Sequence, residues 1–307
     1  MDRLLTAFLI YITIFLFGMT VMKIGFSAIG DQKLKRIIQR ATGSPIKGIL
    51  IGTLLTAVLQ SSSAVTVITV GLAAVGLIRF SNTIGIIIGA NIGSTFTGLL
   101  ATIPLGKFHF ILLGLGVCLL FSKNKKGFCL GTIFFGLGCL FLAMDGFNTL
   151  SLPMRELTSV QYILNQSNQS ILKALLIGSL FTGIIQSSSA TTVIAMGFLN
   201  NGMLTLDAAI TLVIGANIGT CVTALLASIG SNWQARWVSY SHLFFNIAGT
   251  LIVIPFIVPF SHFMSQFGWS PDVTLAYAGL FFNVFSAIVS LPFATRYGLW
   301  VERKFIK

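Results

Sequence analysis

The chain is written in long apolar runs separated by short polar ones. The first run, Leu4 to Met22, follows Asp2-Arg3 and has the length of a membrane-spanning helix. It is longer than the apolar core of a signal peptide and lacks a small-x-small cleavage pattern, so it reads as part of the mature protein. A basic stretch with Lys33, Lys35, Arg36, Arg40 and Lys47 follows, in which Gly43-Ser44-Pro45 reads as a helix start. Two apolar arms, Ile49 to Leu59 and Ala64 to Ile78, then flank Gln60-Ser61-Ser62-Ser63. The first arm is shorter than the roughly 20 residues of a bilayer crossing, which predicts a re-entrant helical hairpin with the serines at its tip. Thr83 to Ile103 is long enough to cross but carries Gly89-Ala90-Asn91-Ile92-Gly93 in its middle. Glycine weakens a helix and asparagine competes for backbone hydrogen bonds, so a discontinuous helix is predicted there. Phe108 to Phe121 is the next predicted span, and Lys123 to Lys126 closes the first half.

The second half repeats the order. A span from Phe128 to Met144 leads into a polar surface segment, Asn148 to Ser170. Hairpin arms Ile171 to Ile185 and Ala190 to Leu204 follow, then an interrupted span from Ala208 to Ile229. Val238 to Phe260 and Val273 to Phe293 are the last spans, with a basic tail from Arg296 to Lys307.

The repetition is literal. Gln60 to Ala64 returns as Gln186 to Ala190 and Gly89 to Gly93 as Gly215 to Gly219, each 126 residues later. Lys47 to Ile103 laid on Lys173 to Ile229 needs no gap and matches at roughly half the positions, which marks an internal duplication. Residues 1–127 form one repeat, and 128–307 the other with an additional C-terminal span. Each half holds a leading span, a hairpin counting as zero or two crossings, an interrupted span and a trailing span. That number is odd, so the two copies are expected to be inverted in the membrane. The expected fold is an all-α polytopic membrane protein of two inverted-topology repeats, each with a re-entrant hairpin and a discontinuous transmembrane helix.

Composition agrees. Hydrophobic residues make up 55% and charged residues 8%, where a soluble domain carries about 25% charge. The net charge of +12 comes from nineteen basic residues in short loops, a topological distribution rather than a nucleic-acid surface. With the amino terminus outside, fourteen of them fall on the cytoplasmic side and four (Arg3, Lys107, Arg155 and Lys173) opposite, with Lys23 at the inner end of the first span. The expectation is a multi-pass protein of the cell membrane, its amino terminus outside, its carboxyl terminus cytoplasmic, with no accessory cytoplasmic domain. Four cysteines inside apolar runs show no C-x-x-C spacing and read as packing residues.

Inverted repeats with hairpin tips and helix breaks build secondary-transporter sites, where helix amino termini face an anion and carbonyls and hydroxyls ligate sodium. Serine and asparagine supply donors and acceptors for a small oxyanion without the bulk of arginine. Packing is the rival explanation, since Gly85, Gly89 and Gly93 form a small-xxx-small ridge. It does not account for a polar tetrad in two places, each followed at the same distance by the same second motif. Asp145 near a span end reads as solvated, and His109 and His242 as packed or interfacial.

Q-S-S-S-A-x-T followed by G-A-N-I-G-[ST], twice, with His242-Leu-Phe-Phe-Asn246 after the second copy, resembles the type II sodium–phosphate cotransporter family along nearly the whole chain. The resemblance implies sodium-coupled symport of inorganic phosphate by alternating access, the serine motifs facing each other at two hairpin tips. Phosphate is then assigned to Gln60, Ser62, Ser63, Asn91, Gln186, Ser188, Ser189 and Asn217. Sodium, the coupling ion, is assigned to Ser61, Thr56, Thr66, Gly89, Ser187, Thr182, Thr192 and Gly215. No organic cofactor is expected; the lipid bilayer is the implied environment and a homodimer a possible scaffold. A passive or sodium-independent carrier or channel for another small oxyanion is the alternative. An intramembrane hydrolase using Ser63 or Ser189 with His109 or His242 is disfavoured, for want of a G-x-S-x-G elbow and because a symmetric pair offers two nucleophiles where one is needed.

Overall fold

In the computed structural model, residues 2–27, 36–38, 44–104 and 106–305 are described. Lys33, Lys35, Arg40, Gly43 and Lys307, used above for topology and the first helix start, lie outside them. Regular structure among the described residues is helical, with no strand. Six helices are long and apolar enough to cross a membrane, which makes this a multi-pass membrane protein.

The first copy of the duplication folds as α2 (Pro45–Leu59), α3 (Ser62–Ala74) and α4 (Phe80–Ala101), following α1 (Asp2–Ser27). α5 (Phe108–Leu120) and α6 (Lys125–Met154) lead to α7 (Thr158–Gln169). The second copy is α8 (Ile171–Ile185), α9 (Ser188–Asn200) and α10 (Leu206–Ser228). α11 (Trp233–Val253) passes through a single 3-10 turn into α12 (Ile257–Ser265), and α13 (Pro271–Phe305) ends the chain. Ser44 caps α2, accepting a hydrogen bond from Lys47 N with Pro45 at the first helical position. Ser170 does the same for α8 through Lys173 N.

Three expectations are corrected. α4 and α10 run unbroken through Gly89–Gly93 and Gly215–Gly219. The glycines serve contact instead: a Cβ on Gly89 would meet Ile49 O at 2.1 Å, and one on Gly215 would meet Leu175 O at 2.3 Å. The backbones of α2 and α4, and of α8 and α10, thus touch directly, as small-xxx-small ridges allow. Thr53 Oγ1 donates to Gly89 O and Ser179 Oγ to Gly215 O, both at 3.0 Å, tying each pair. Second, α5 has only 13 residues, about 20 Å of helix against about 30 Å of hydrocarbon. The helix alone is shorter than the hydrocarbon layer, so the expected trailing span of the first half needs its flanking residues to complete a crossing. Third, the span expected to end at Met144 continues as α6 to Met154, and amphipathic α7 occupies most of the polar segment after it. The basic segment from Arg296 continues α13 as far as Phe305, where Glu302 Oε1 accepts from Ser81 N at 2.9 Å.

Close approaches also fix running directions. Pro45, Ile49 and Thr53 of α2 meet Gly85, Gly89 and Gly93 of α4 in that order, so the two are parallel; Leu175 and Ser179 meet Gly215 and Gly219 likewise. Along α13, Val213 meets Gly279 and Asn217 bonds Asn283, so α10 runs with α13. Ser81, at the start of α4, meets Gly298 and Glu302 near the end of α13, while Asn91 shares a small cavity with Asn283 and Ser286. α4 therefore runs against α13. Buried apolar side chains form two clusters. One joins α1 and α6 to the second copy, and the other joins the first copy to α11 and α13.

Candidate functional site

Each tip is built the same way. α2 ends at Gln60 in the left-handed region (φ 51°), Ser61 is extended (φ −156°), and its hydroxyl caps α3 by accepting from Ala64 N at 3.2 Å. At the second tip Gln186 (φ 57°) and Ser187 (φ −145°) repeat this, with Ala190 N at 3.3 Å. Left-handed glutamine costs about 1–3 kcal/mol. Both copies of the duplication keep it.

Both complete tetrads, Gln60 to Ser63 and Gln186 to Ser189, line one cavity of about 250 Å³ together with Leu16, Met19, Thr20 and Lys23 of α1 and Thr223 of α10. That volume has room for several waters or a partly hydrated small oxyanion. Ser61 and Ser187 are committed as caps. The hydroxyls of Ser62, Ser63, Ser188 and Ser189 make no hydrogen bond with the described protein and remain free to donate.

A second, narrower space of about 20 Å³ shares Ser188 and Ser189 with this cavity and adds Ser94, Thr95, Thr192, Asn217 and Asn283. It has room for one water or small ion. Apart from the hydroxyls of Ser188 and Ser189, the donors here are spent. Ser94 donates to Asn91 O, Thr95 to Ile92 O and Thr192 to Ser188 O, at 2.7, 2.7 and 2.9 Å, and Asn217 Nδ2 donates to Asn283 Oδ1 at 3.1 Å. What these side chains turn to the space is oxygen lone pairs, the donor set of a hard monovalent cation.

The remaining candidates are dispersed. Asn91 Nδ2 donates to Asn246 Oδ1 at 2.8 Å and its Oδ1 lies 3.3 Å from His242 Nε2, beside a small cavity shared with Asn283. Thr182 Oγ1 pairs with Thr191 Oγ1 at 2.6 Å. Its counterpart Thr56 has Val65 where Thr191 would stand, so Thr56 Oγ1 is buried without a partner, as is Thr66 Oγ1. Gly89 and Gly215 offer no unwound carbonyl, since theirs accept from Thr53 and Ser179 inside intact helices. Asp145 is exposed and His109 is buried with Nδ1 2.9 Å from Gly106 O.

Residues 14–149 and 151–269 match the profile of the Na+/Pi-cotransporter family. The chain belongs to that family. The uncharacterized protein YqeW of Bacillus subtilis is 36% identical over 269 residues, 88% of this chain and 87% of its own. YjbB of Salmonella typhimurium, whose name gives it provisionally as an inorganic phosphate export protein, is 26% identical over 83% of this chain, which spans 47% of YjbB. The human sodium-dependent phosphate transport protein 2B is 38% identical over 92 residues, 29% of this chain and 13% of that protein. No solved structure matches.

Several residues around the site of this Na+/Pi-cotransporter family member escaped the sequence reading. Thr97 and Thr223 are duplicate counterparts whose shared offset was available. Lys23 was legible as a lone charge in an apolar run but was assigned to topology. Asn283 left no signal beyond being an amide in a span.

Proposed function

We propose that the protein moves inorganic phosphate across the membrane together with sodium by alternating access, the anion held between the two Gln-Ser-Ser-Ser tips. The observation that carries this reading is the single cavity lined by both tetrads with four uncommitted serine hydroxyls. Free donors suit phosphate oxygens, and the adjoining space of spent donors suits sodium. Ser94, Thr95, Thr192, Asn217 and Asn283 would hold the cation there, with Ser188 and Ser189 on the boundary between the two spaces. A cation so close offsets the anion's charge in a low-dielectric region. It also supplies driving force, because one charge moved against 100 mV costs about 2.3 kcal/mol.

The reading takes residues 1–127 and 128–307 as inverted repeats, with the amino terminus outside and the α2–α3 and α8–α9 pairs as re-entrant hairpins. Support comes from the opposite senses of α4 and α10 along α13, and from arms of 15 and 13 residues, about 22 and 20 Å long. The YjbB name favours outward movement as a second reading of direction with the same site.

The test is radiolabelled phosphate flux in proteoliposomes under a sodium gradient against an equal potassium gradient, for wild type, Ser63→Ala and Ser189→Ala. Sodium-dependent flux lost in both variants is expected. Equal flux in potassium would move the assignment to a sodium-independent oxyanion carrier.

A further inference from the structure

Among the described residues, one charged side chain lines the cavity between the tips, and it comes from neither tip. Leu16, Met19, Thr20 and Lys23 follow the i, i+3, i+4, i+7 spacing of one helix face, so α1 turns a single stripe toward the serines and Lys23 belongs to it. A lysine that served only to anchor the helix end would extend along lipid-facing or headgroup-facing surface. Ile24, the next residue, takes that outward position and is 51% exposed. Lys23 is half-buried and has no ion pair or hydrogen bond with the described protein. No carboxylate among the described residues lines the cavity with it. A lysine in a cavity at the end of a span, without a partner among the described residues, calls for a counter-ion, and the same cavity is lined by four hydroxyls free to donate.

We propose that Lys23 is a binding residue for the transported oxyanion, supplying the positive charge that the serine tips lack and setting the preference of the site for anions. This rests on the reading of the tip cavity as the anion site. It adds that one fixed cation on α1, outside both copies of the duplication, faces the two copies at once. The otherwise paired site is thereby made one-sided.

The test uses the full chain in proteoliposomes, in a Cys118→Ser background because Cys118 is the exposed cysteine among the four. Lys23→Met should raise the KM for phosphate about tenfold or more, the effect of losing a charge-assisted contact, and Lys23→Arg should recover most of it. Lys23→Cys should behave like Lys23→Met. Treatment with aminoethyl methanethiosulfonate, which restores a cation of lysine-like length, should return KM toward wild type, while the neutral methyl reagent should not. Phosphate should slow labelling of the introduced thiol. A KM within twofold of wild type in Lys23→Met, or equal effects of the charged and neutral reagents, overturns the proposal, and both comparisons are made on protein already folded. Wild-type flux alone tests the phosphate reading. If wild type carries arsenate or sulfate instead, the same reagent comparison on that anion decides the role of Lys23. If it carries none of the three and none protects the thiol, the role of Lys23 falls as well.

Discussion

Thr97 Oγ1 donates a 2.7 Å hydrogen bond to Gln60 Oε1, while the same pair in the second copy is apart. Thr223 Oγ1 donates to Thr220 O at 2.8 Å, and Gln186 is exposed with no hydrogen bond from its side chain. Gln60 is 7% exposed. One tip is closed down on its neighbouring helix and the other is released, although their backbones match.

Thr97→Val should therefore destabilise the protein by about 1 kcal/mol or more, since it leaves the buried Gln60 carbonyl unsatisfied. Thr223→Val should change stability by no more than about 0.5 kcal/mol, its hydroxyl bonding only within its own helix. Thermal denaturation of the two purified variants checks the asymmetry; equal losses would contradict it.

Gln186→Gly removes no side-chain hydrogen bond and relieves a left-handed non-glycine residue. The melting temperature should hold or rise, by the equivalent of about 1 kcal/mol. Phosphate flux should fall at least about tenfold if the side chain meets substrate. Stability and transport parting in opposite directions is the outcome to look for.

Gly89→Ala and Gly215→Ala should each disrupt the protein. The new methyl would sit 2.1 or 2.3 Å from a backbone carbonyl that cannot step aside, and overpacking of this kind costs about 1–3 kcal/mol or more. Gly71→Ala and Gly114→Ala, also in helices, meet nothing within 4 Å and should gain up to about 1 kcal/mol. Yield of monodisperse protein after extraction ranks the four.

Asn283→Ala should raise the half-saturating sodium concentration about tenfold or more by removing an oxygen from the narrow space and freeing Asn217. The KM for phosphate at saturating sodium should change less than threefold. Sodium titration of flux separates the two, and a selective loss of phosphate affinity would count against a cation there.

The tips were legible because Gln-Ser-Ser-Ser is an unbroken polar tetrad in apolar surroundings and recurs at a fixed offset. The helix break was misread because glycine has two uses, and a single chain does not say whether a backbone bends or is approached. At Gly89 the neighbour is Ile49 O, forty residues away, and only the fold brings it there. The length of α6 was underread because Asn148 and Ser151 look like surface; in the fold Ser151 Oγ and Asn148 O accept from Asn201. The partner of Asn217 was invisible for a similar reason, since a lone amide in α13 has no period or motif to announce it.

The backbone-to-backbone contact of α2 with α4, and of α8 with α10, has a mechanical consequence. With carbonyls against glycine Cα atoms and a hydroxyl tie at each ridge, neither arm can pivot alone on its long helix. On the proposed alternating-access reading, any change of side would then carry α2 together with α4, and α8 together with α10, so that each tip is steered by its long helix rather than by its own turn.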